Sequence, residues 1–285
     1  MELCHGLIIS HAPGLTAMWS ALDAAQARNL SGALDTVRLE LEAARPDVIV
    51  AFVNDHFSNF FLGNMPAICI GVAESYEMRA PGNPALLRTP MRRIPGDGEL
   101  SLRIVESLMR ENFDPAYAGE LQLVADVGAP LYYLMPELPP HLTIVPIFIN
   151  CVAPPLPTMR RCYDLGVAVR KALEQFAGDR RVAIMGTGGI SHWVGLAREG
   201  EINSAFDQRV IALVAEGRFA EMMDWDDRAI EDEAGNGAYE LRNWLATFGA
   251  VGPCRPRPLA YVAVPEWLTG MAVIPLDLAP AAVPA

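Results

Sequence analysis

The sequence predicts an α/β fold on a mostly parallel central sheet, folded as a single domain. Three observations carry that expectation. Short apolar runs rich in β-branched residues recur, such as Val48-Ile49-Val50-Ala51-Phe52-Val53 and Val182-Ala183-Ile184-Met185. That is the pattern of strands buried on both faces. Segments of helical periodicity alternate with them through the first half of the chain, as parallel strands with crossover helices require. The chain has 285 residues, 52% of them hydrophobic, which is enough for one large core. No repeat, low-complexity segment or linker divides it.

Taken in order, the first strand runs through Leu7-Ile8-Ile9 to Ser10-His11. A helix over about Ser31 to Ala44 follows, with Leu34, Val37, Leu41 and Ala44 on one face. Arg45-Pro46-Asp47 ends it and launches the strand that leads to His56. Ala67 to Val72 reads as the next strand. Residues Ala80 to Asp97, with four prolines and two glycines, read as an irregular loop. A helix over Glu99 to Glu111 presents Leu100, Ile104, Val105 and Leu108, and Leu142 to Asn150 is a strand. Thr158 caps a helix that reaches Phe176. Val182 to Met185 is a strand, followed by helices over about Asn203 to Ala215 and Ala238 to Phe248. A proline-rich strand-and-turn tail closes the chain.

Composition excludes several functions. The net charge of -12 disfavours nucleic acid and anionic membrane surfaces, which need positive charge. No apolar run approaches the ~20 residues of a membrane span. The runs Thr143 to Ile149 and Met271 to Leu278 are interrupted by prolines. The five cysteines have no CxxC spacing, so free thiols in a reducing compartment are expected. The N-terminus lacks a basic patch followed by an apolar stretch, so no signal peptide is expected and the cytoplasm is the expected location.

Three of the five histidines follow hydrophobic runs: His11, His56 and, after Gly186-Thr187-Gly188-Gly189-Ile190-Ser191, His192. Ligands in an open α/β sheet bind beyond the carboxyl ends of the strands. One histidine there is ordinarily structural or solvated; three converging on that edge suggest a metal site, or a metal site with a base. Glu240 follows the Gly235-Asn236-Gly237 break at the start of a helix whose packing residues are Leu241, Trp244 and Leu245. On composition alone it reads equally as a helix-start carboxylate stabilised by the dipole. Asn54 and Asp55 either bond the neighbouring imidazoles or cap the strand end. Phe57, Phe60 and Phe61 either wall a pocket or belong to the core. His5 and His141 read as structural or solvated.

Several ordered segments resemble the class III extradiol ring-cleaving dioxygenases, the superfamily of the protocatechuate 4,5-dioxygenase β-subunit. They are Ser10-His11-Ala12-Pro13, Asn54-Asp55-His56, Asn64-Met65-Pro66 with Ile70-Gly71, and Val145-Pro146-Ile147-Phe148-Ile149-Asn150. Further on come Gly186 to His192, Ile202-Asn203 with Phe206-Asp207, and Pro265-Glu266-Trp267. The resemblance implies a three-layer α/β/α fold and a single catalytic domain over 1–285. It implies Fe(II) held by His11, His56 and Glu240, and an acid–base role for His192. The implied reactants are a small catechol-type aromatic and O2.

Two departures stand out. Many members carry a second histidine in an Asp-His-Gly motif before a Pro-Leu pair. Alignment on Pro130-Leu131 puts Ala125 at that position, leaving Asp126, Tyr132 or Tyr133 to stand in. An o-aminophenol or a hydroxypyridone ring is therefore an alternative substrate. Some members also need a small helical subunit over the site. No such segment is present, so a lid is internal or comes from another chain; a homo-oligomer or a separate small subunit is expected. Two His and one Glu also suit zinc, which leaves a zinc hydrolase open on chemistry alone.

Overall fold

The computed structural model describes residues 1–12, 14–78 and 92–279. The chain opens with β1 (Glu2–Ile9), a single turn α1 (Gly14–Ala17), α2 (Ala24–Ala44), β2 (Val48–Val53) and β3 (Ile68–Gly71). A small segment follows: β4 (Ser75–Met78), β5 (Arg92–Pro95), α3 (Gly98–Arg110), β6 (Ala116–Ala118), β7 (Gln122–Leu123) and α4 (Ala125–Leu134). Then come β8 (Thr143–Ile149), α5 (Met159–Gln175), β9 (Arg181–Thr187), α6 (Ser204–Ala215), α7 (Asp227–Ala234) and α8 (Leu241–Val251). The chain ends in β10 (Cys254–Pro256), β11 (Ala260–Val264) and β12 (Thr269–Leu278).

The main sheet runs β10-β12-β1-β9-β2-β8-β3-β6, with β11 paired to β12. Its centre, β1-β9-β2-β8, is parallel throughout. The C-terminal strands join antiparallel at one side, and β3 runs antiparallel to β8 at the other. The alternation of side chains along each central strand sorts the core into two layers. Val48, Val50 and Phe52 of β2 pack with Val182 and Ile184 of β9 against apolar residues of α3, α5 and α8. Ile49, Ala51 and Val53 pack with Ala183 and Met185 against α2 and α4. The sheet is thus covered on both faces, as the three-layer expectation requires. No helix among the described residues is long and apolar enough to cross a membrane.

Three local readings change. Helix α2 starts well before Ser31, because Asp23 and Gln26 form a reciprocal capping box: Asp23 Oδ1 accepts from the Gln26 amide and Gln26 Oε1 from the Asp23 amide. Of the loop expected over Ala80 to Asp97, residues 80–91 lie outside the described residues. Arg92–Pro95 is a strand, paired antiparallel to β4 in a small three-stranded sheet with β7. The helix expected from Ala238 begins at Leu241. Residues Asn236–Glu240 form a tighter 3-10 turn, held where the Gly237 amide donates to the His192 carbonyl. Thr158 caps α5 as expected, accepting from the Arg161 amide.

Candidate metal centre and active site

The carboxyl ends of the three neighbouring parallel strands β1, β9 and β2 open on one edge of the sheet. His11 lies just past β1, His56 just past β2, and His192 follows the glycine turn after β9. Glu240 sits at the N-terminal end of α8. The four residues expected to form a site from four distant parts of the sequence are brought together.

His11 Nε2 and His56 Nε2 are 3.1 Å apart. Glu240 reaches both, Oε2 at 3.6 Å from His11 Nε2 and Oε1 at 3.4 Å from His56 Nε2. One donor atom from each of the three residues lies within 4.8 Å of the others, so the group could hold a metal ion. Donors that share one first-row ion lie roughly 3–3.5 Å apart, since each sits ~2.1 Å from it. Spacing and donor chemistry both fit. His11 and Glu240 are buried, and His56 is partly exposed.

The carboxylate is held on both oxygens. Glu240 Oε2 accepts from the Gly189 amide at 2.6 Å, and Oε1 accepts from Asn54 Nδ2 at 3.0 Å. Asn54 is fixed in turn by Asn243 Nδ2, which donates to its Oδ1 at 3.0 Å. Gly188, at φ +128°, packs so close that a Cβ there would lie 2.8 Å from Glu240 Cβ. The Trp244 indole pins the same turn by donating to the Gly188 carbonyl. Burial would raise the Glu240 carboxyl, but the opposing charge of His11 beside it holds it well below the usual range. Burial would likewise lower His11, yet the Glu240 and Asp126 carboxylates raise it to about 9.

His192 stands beside this group, Nε2 at 3.8 Å from Glu240 Oε1. Its Nδ1 faces the Ile190 carbonyl at 3.2 Å and Thr269 Oγ1 at 3.3 Å. A carbonyl can only accept, so Nδ1 carries the hydrogen, and the lone pair of the neutral ring is on Nε2. The glycine turn that carries the ring is tied to α6: the Ser191 amide donates to buried Asp207 Oδ1, and Tyr261 holds the other oxygen at 2.6 Å. Gly237 lies against the ring, where a Cβ would come within 2.3 Å of Nε2.

Asp55 accepts from the Ser58, Asn59 and Phe60 amides, so it shapes the turn beyond His56, while Asn54 faces Glu240 and lies 3.1 Å from His56 Nε2. The three phenylalanines separate: Phe60 packs edge-on to Phe148, whereas Phe57 and Phe61 are exposed. His5 is buried within β1 and His141 is exposed. Tyr133 is occupied elsewhere, donating to the Leu15 carbonyl and stacking on Trp19. Asp126, in the first turn of α4, is the candidate that meets the cluster. Its Oδ1 lies 3.3 Å from His11 Nε2 and 3.4 Å from His56 Nε2. Asn243 and Thr269 were missed by sequence reasoning. Asn243 was findable, being one helical turn after Glu240, whereas Thr269 arrives on β12 with no local signal.

Comparison with known proteins gives the family. The family model described as the catalytic LigB subunit of aromatic ring-opening dioxygenase matches residues 5–271. A 2,3-dihydroxyphenylpropionate/2,3-dihydroxicinnamic acid 1,2-dioxygenase from Cupriavidus necator is 31% identical, covering 86% of this chain and 89% of that protein. The protein of the same name from Mycolicibacterium vanbaalenii is 28% identical, covering 96% of both. An uncharacterized Escherichia coli K12 protein of known crystal structure shares the fold, with a TM-score of 0.55 at 13% identity over 86% of this chain and 92% of that one. The chain belongs to the LigB family of aromatic ring-opening dioxygenases and is a ring-cleaving enzyme.

Proposed function

We propose that this protein is an Fe(II)-dependent extradiol dioxygenase acting on a catechol-type ring, its catalytic domain spanning 1–285. His11, His56 and Glu240 hold the metal, and His192 is the acid–base residue. The observation that carries the reading is the meeting of three donor atoms within 4.8 Å of one another, with a fourth, proton-accepting nitrogen alongside. Two imidazoles and one carboxylate with open positions suit non-haem Fe(II). Bound there, the iron would acidify ring hydroxyls and bring the ring and O2 together.

The chain's own residues do the rest. Gly189 and Asn54 orient the Glu240 carboxylate through its two oxygens. His192 takes a hydroxyl proton on Nε2, the nitrogen that its Ile190 contact leaves free. The donor set alone also suits zinc, but membership of a ring-opening family favours the oxygenase. Five free thiols fit a reducing compartment such as the cytoplasm. Ala125 at the histidine position keeps an aminophenol within the substrate range.

The test is oxygen uptake by anaerobically Fe(II)-loaded protein offered catechols, o-aminophenols and hydroxypyridones. Uptake with a new visible absorbance from a catechol is expected. Uptake confined to the other rings would replace the substrate class. No uptake from iron-replete protein with any ring would overturn the reading.

A further inference from the structure

Asp126 is an acidic residue in an unusual position. Its side chain is 2% exposed, and its Oδ1 has no hydrogen-bond donor among the described residues. Burying a carboxylate oxygen without a hydrogen bond is unfavourable, so such a group implies something missing beside it. Oδ1 lies 3.3 and 3.4 Å from the two imidazole nitrogens that the proposed function assigns to the metal. Glu240 stands at 3.6 and 3.4 Å from the same two atoms. Asp126 thus approaches the histidine pair as closely as Glu240 does, through one oxygen where Glu240 uses two. They differ in support: Glu240 is held by hydrogen bonds from Gly189 and Asn54, whereas Asp126 Oδ1 accepts none and faces only the two imidazoles.

We infer that Asp126 is a fourth side-chain ligand, making the resting centre a two-histidine, two-carboxylate site. This inference rests on the metal assignment above. A metal supplies the missing partner of Oδ1 and offsets the second buried negative charge. A six-position centre with four side chains keeps two positions for water. A ring bound through two oxygens together with O2 needs three, so Asp126 is the ligand that must release. Its lack of other anchors makes that release easier than for Glu240. The residue therefore sets how open the centre is before substrate arrives.

The experiment uses Mn(II) as the probe, measuring its affinity and its number of exchangeable waters by water-proton relaxation. Wild type, Asp126→Asn and Glu240→Gln are compared, with circular dichroism as the check on folding. Asp126→Glu, which keeps the carboxylate, is the second variant. The inference expects Asp126→Asn to bind Mn(II) about 10-fold or more weaker and to gain one coordinated water, with Asp126→Glu restoring affinity. A weaker site with an unchanged water count would place Asp126 outside the coordination sphere and overturn the inference, as would unchanged affinity and water count. If only Asp126→Asn behaves as wild type while Glu240→Gln loses metal, the metal assignment survives without the fourth ligand. If wild type itself holds no Mn(II), both readings fall.

Discussion

His192 carries the sharpest residue-scale prediction. It is close to the cluster without being one of its three mutual donors, and its free nitrogen is Nε2. His192→Ala is expected to keep its metal and lose about 100-fold or more in turnover, the usual worth of a general acid–base group. Steady-state oxygen uptake with metal analysis on the same sample checks it; loss of metal would reassign the residue as a ligand. His11 makes a second prediction, through pH. Its pKa is raised from 6.5 to about 9 in the folded, metal-free protein by Glu240 and Asp126, against the opposing effect of burial. A raised pKa contributes stability that is complete below the unfolded value and is lost as pH rises through the folded one. The metal-free protein should therefore lose stability between about pH 6.5 and about 9, and His11→Asn should flatten that dependence in thermal melts. Metal binding near neutral pH should release a proton, since the ligating imidazole must be neutral.

The two turns around the site matter most among the elements. The Gly188 turn and the Asn236–Glu240 turn interlock, one holding the carboxylate and the other lying against the His192 ring. Gly237→Ala would put a methyl 2.3 Å from the present position of His192 Nε2, so the ring must move. We expect a turnover loss of at least 10-fold with metal content unchanged, read from the same two assays. Much of this level was legible in the sequence. The apolar runs located β2, β8 and β9, and periodicity with the Thr158 cap located α5. Less legible were elements whose stability is tertiary. Helix α4 contains Gly128 and Pro130, which local propensity disfavours, yet it buries Val127 and Leu131 against the sheet. Strand β5 is four residues long and forms only by pairing with β4.

For the whole molecule, the site exists because parallel strands from distant parts of the sequence end at one edge. Histidines after β1, β2 and β9 could be read as converging once those strands were read as parallel. Glu240 could not be chosen from composition, because its neighbourhood reads as an ordinary helix start; the family resemblance singled it out. Asp126 lay at a departure from the family pattern, and its contacts came only from the folding of α4 against the histidine pair. A ligand that binds only the folded state stabilises it by mass action, about 2.7 kcal/mol at 100 times its Kd. Saturating Fe(II) under anaerobic conditions should accordingly raise the melting temperature of the wild type and leave that of Glu240→Ala unmoved.

The most direct test of the central claim is iron content after anaerobic loading and desalting, measured on wild type, His56→Ala, Glu240→Ala and His192→Ala. The account predicts stoichiometric iron in wild type and His192→Ala, and loss of iron in the other two. Full iron in His56→Ala or Glu240→Ala would contradict it.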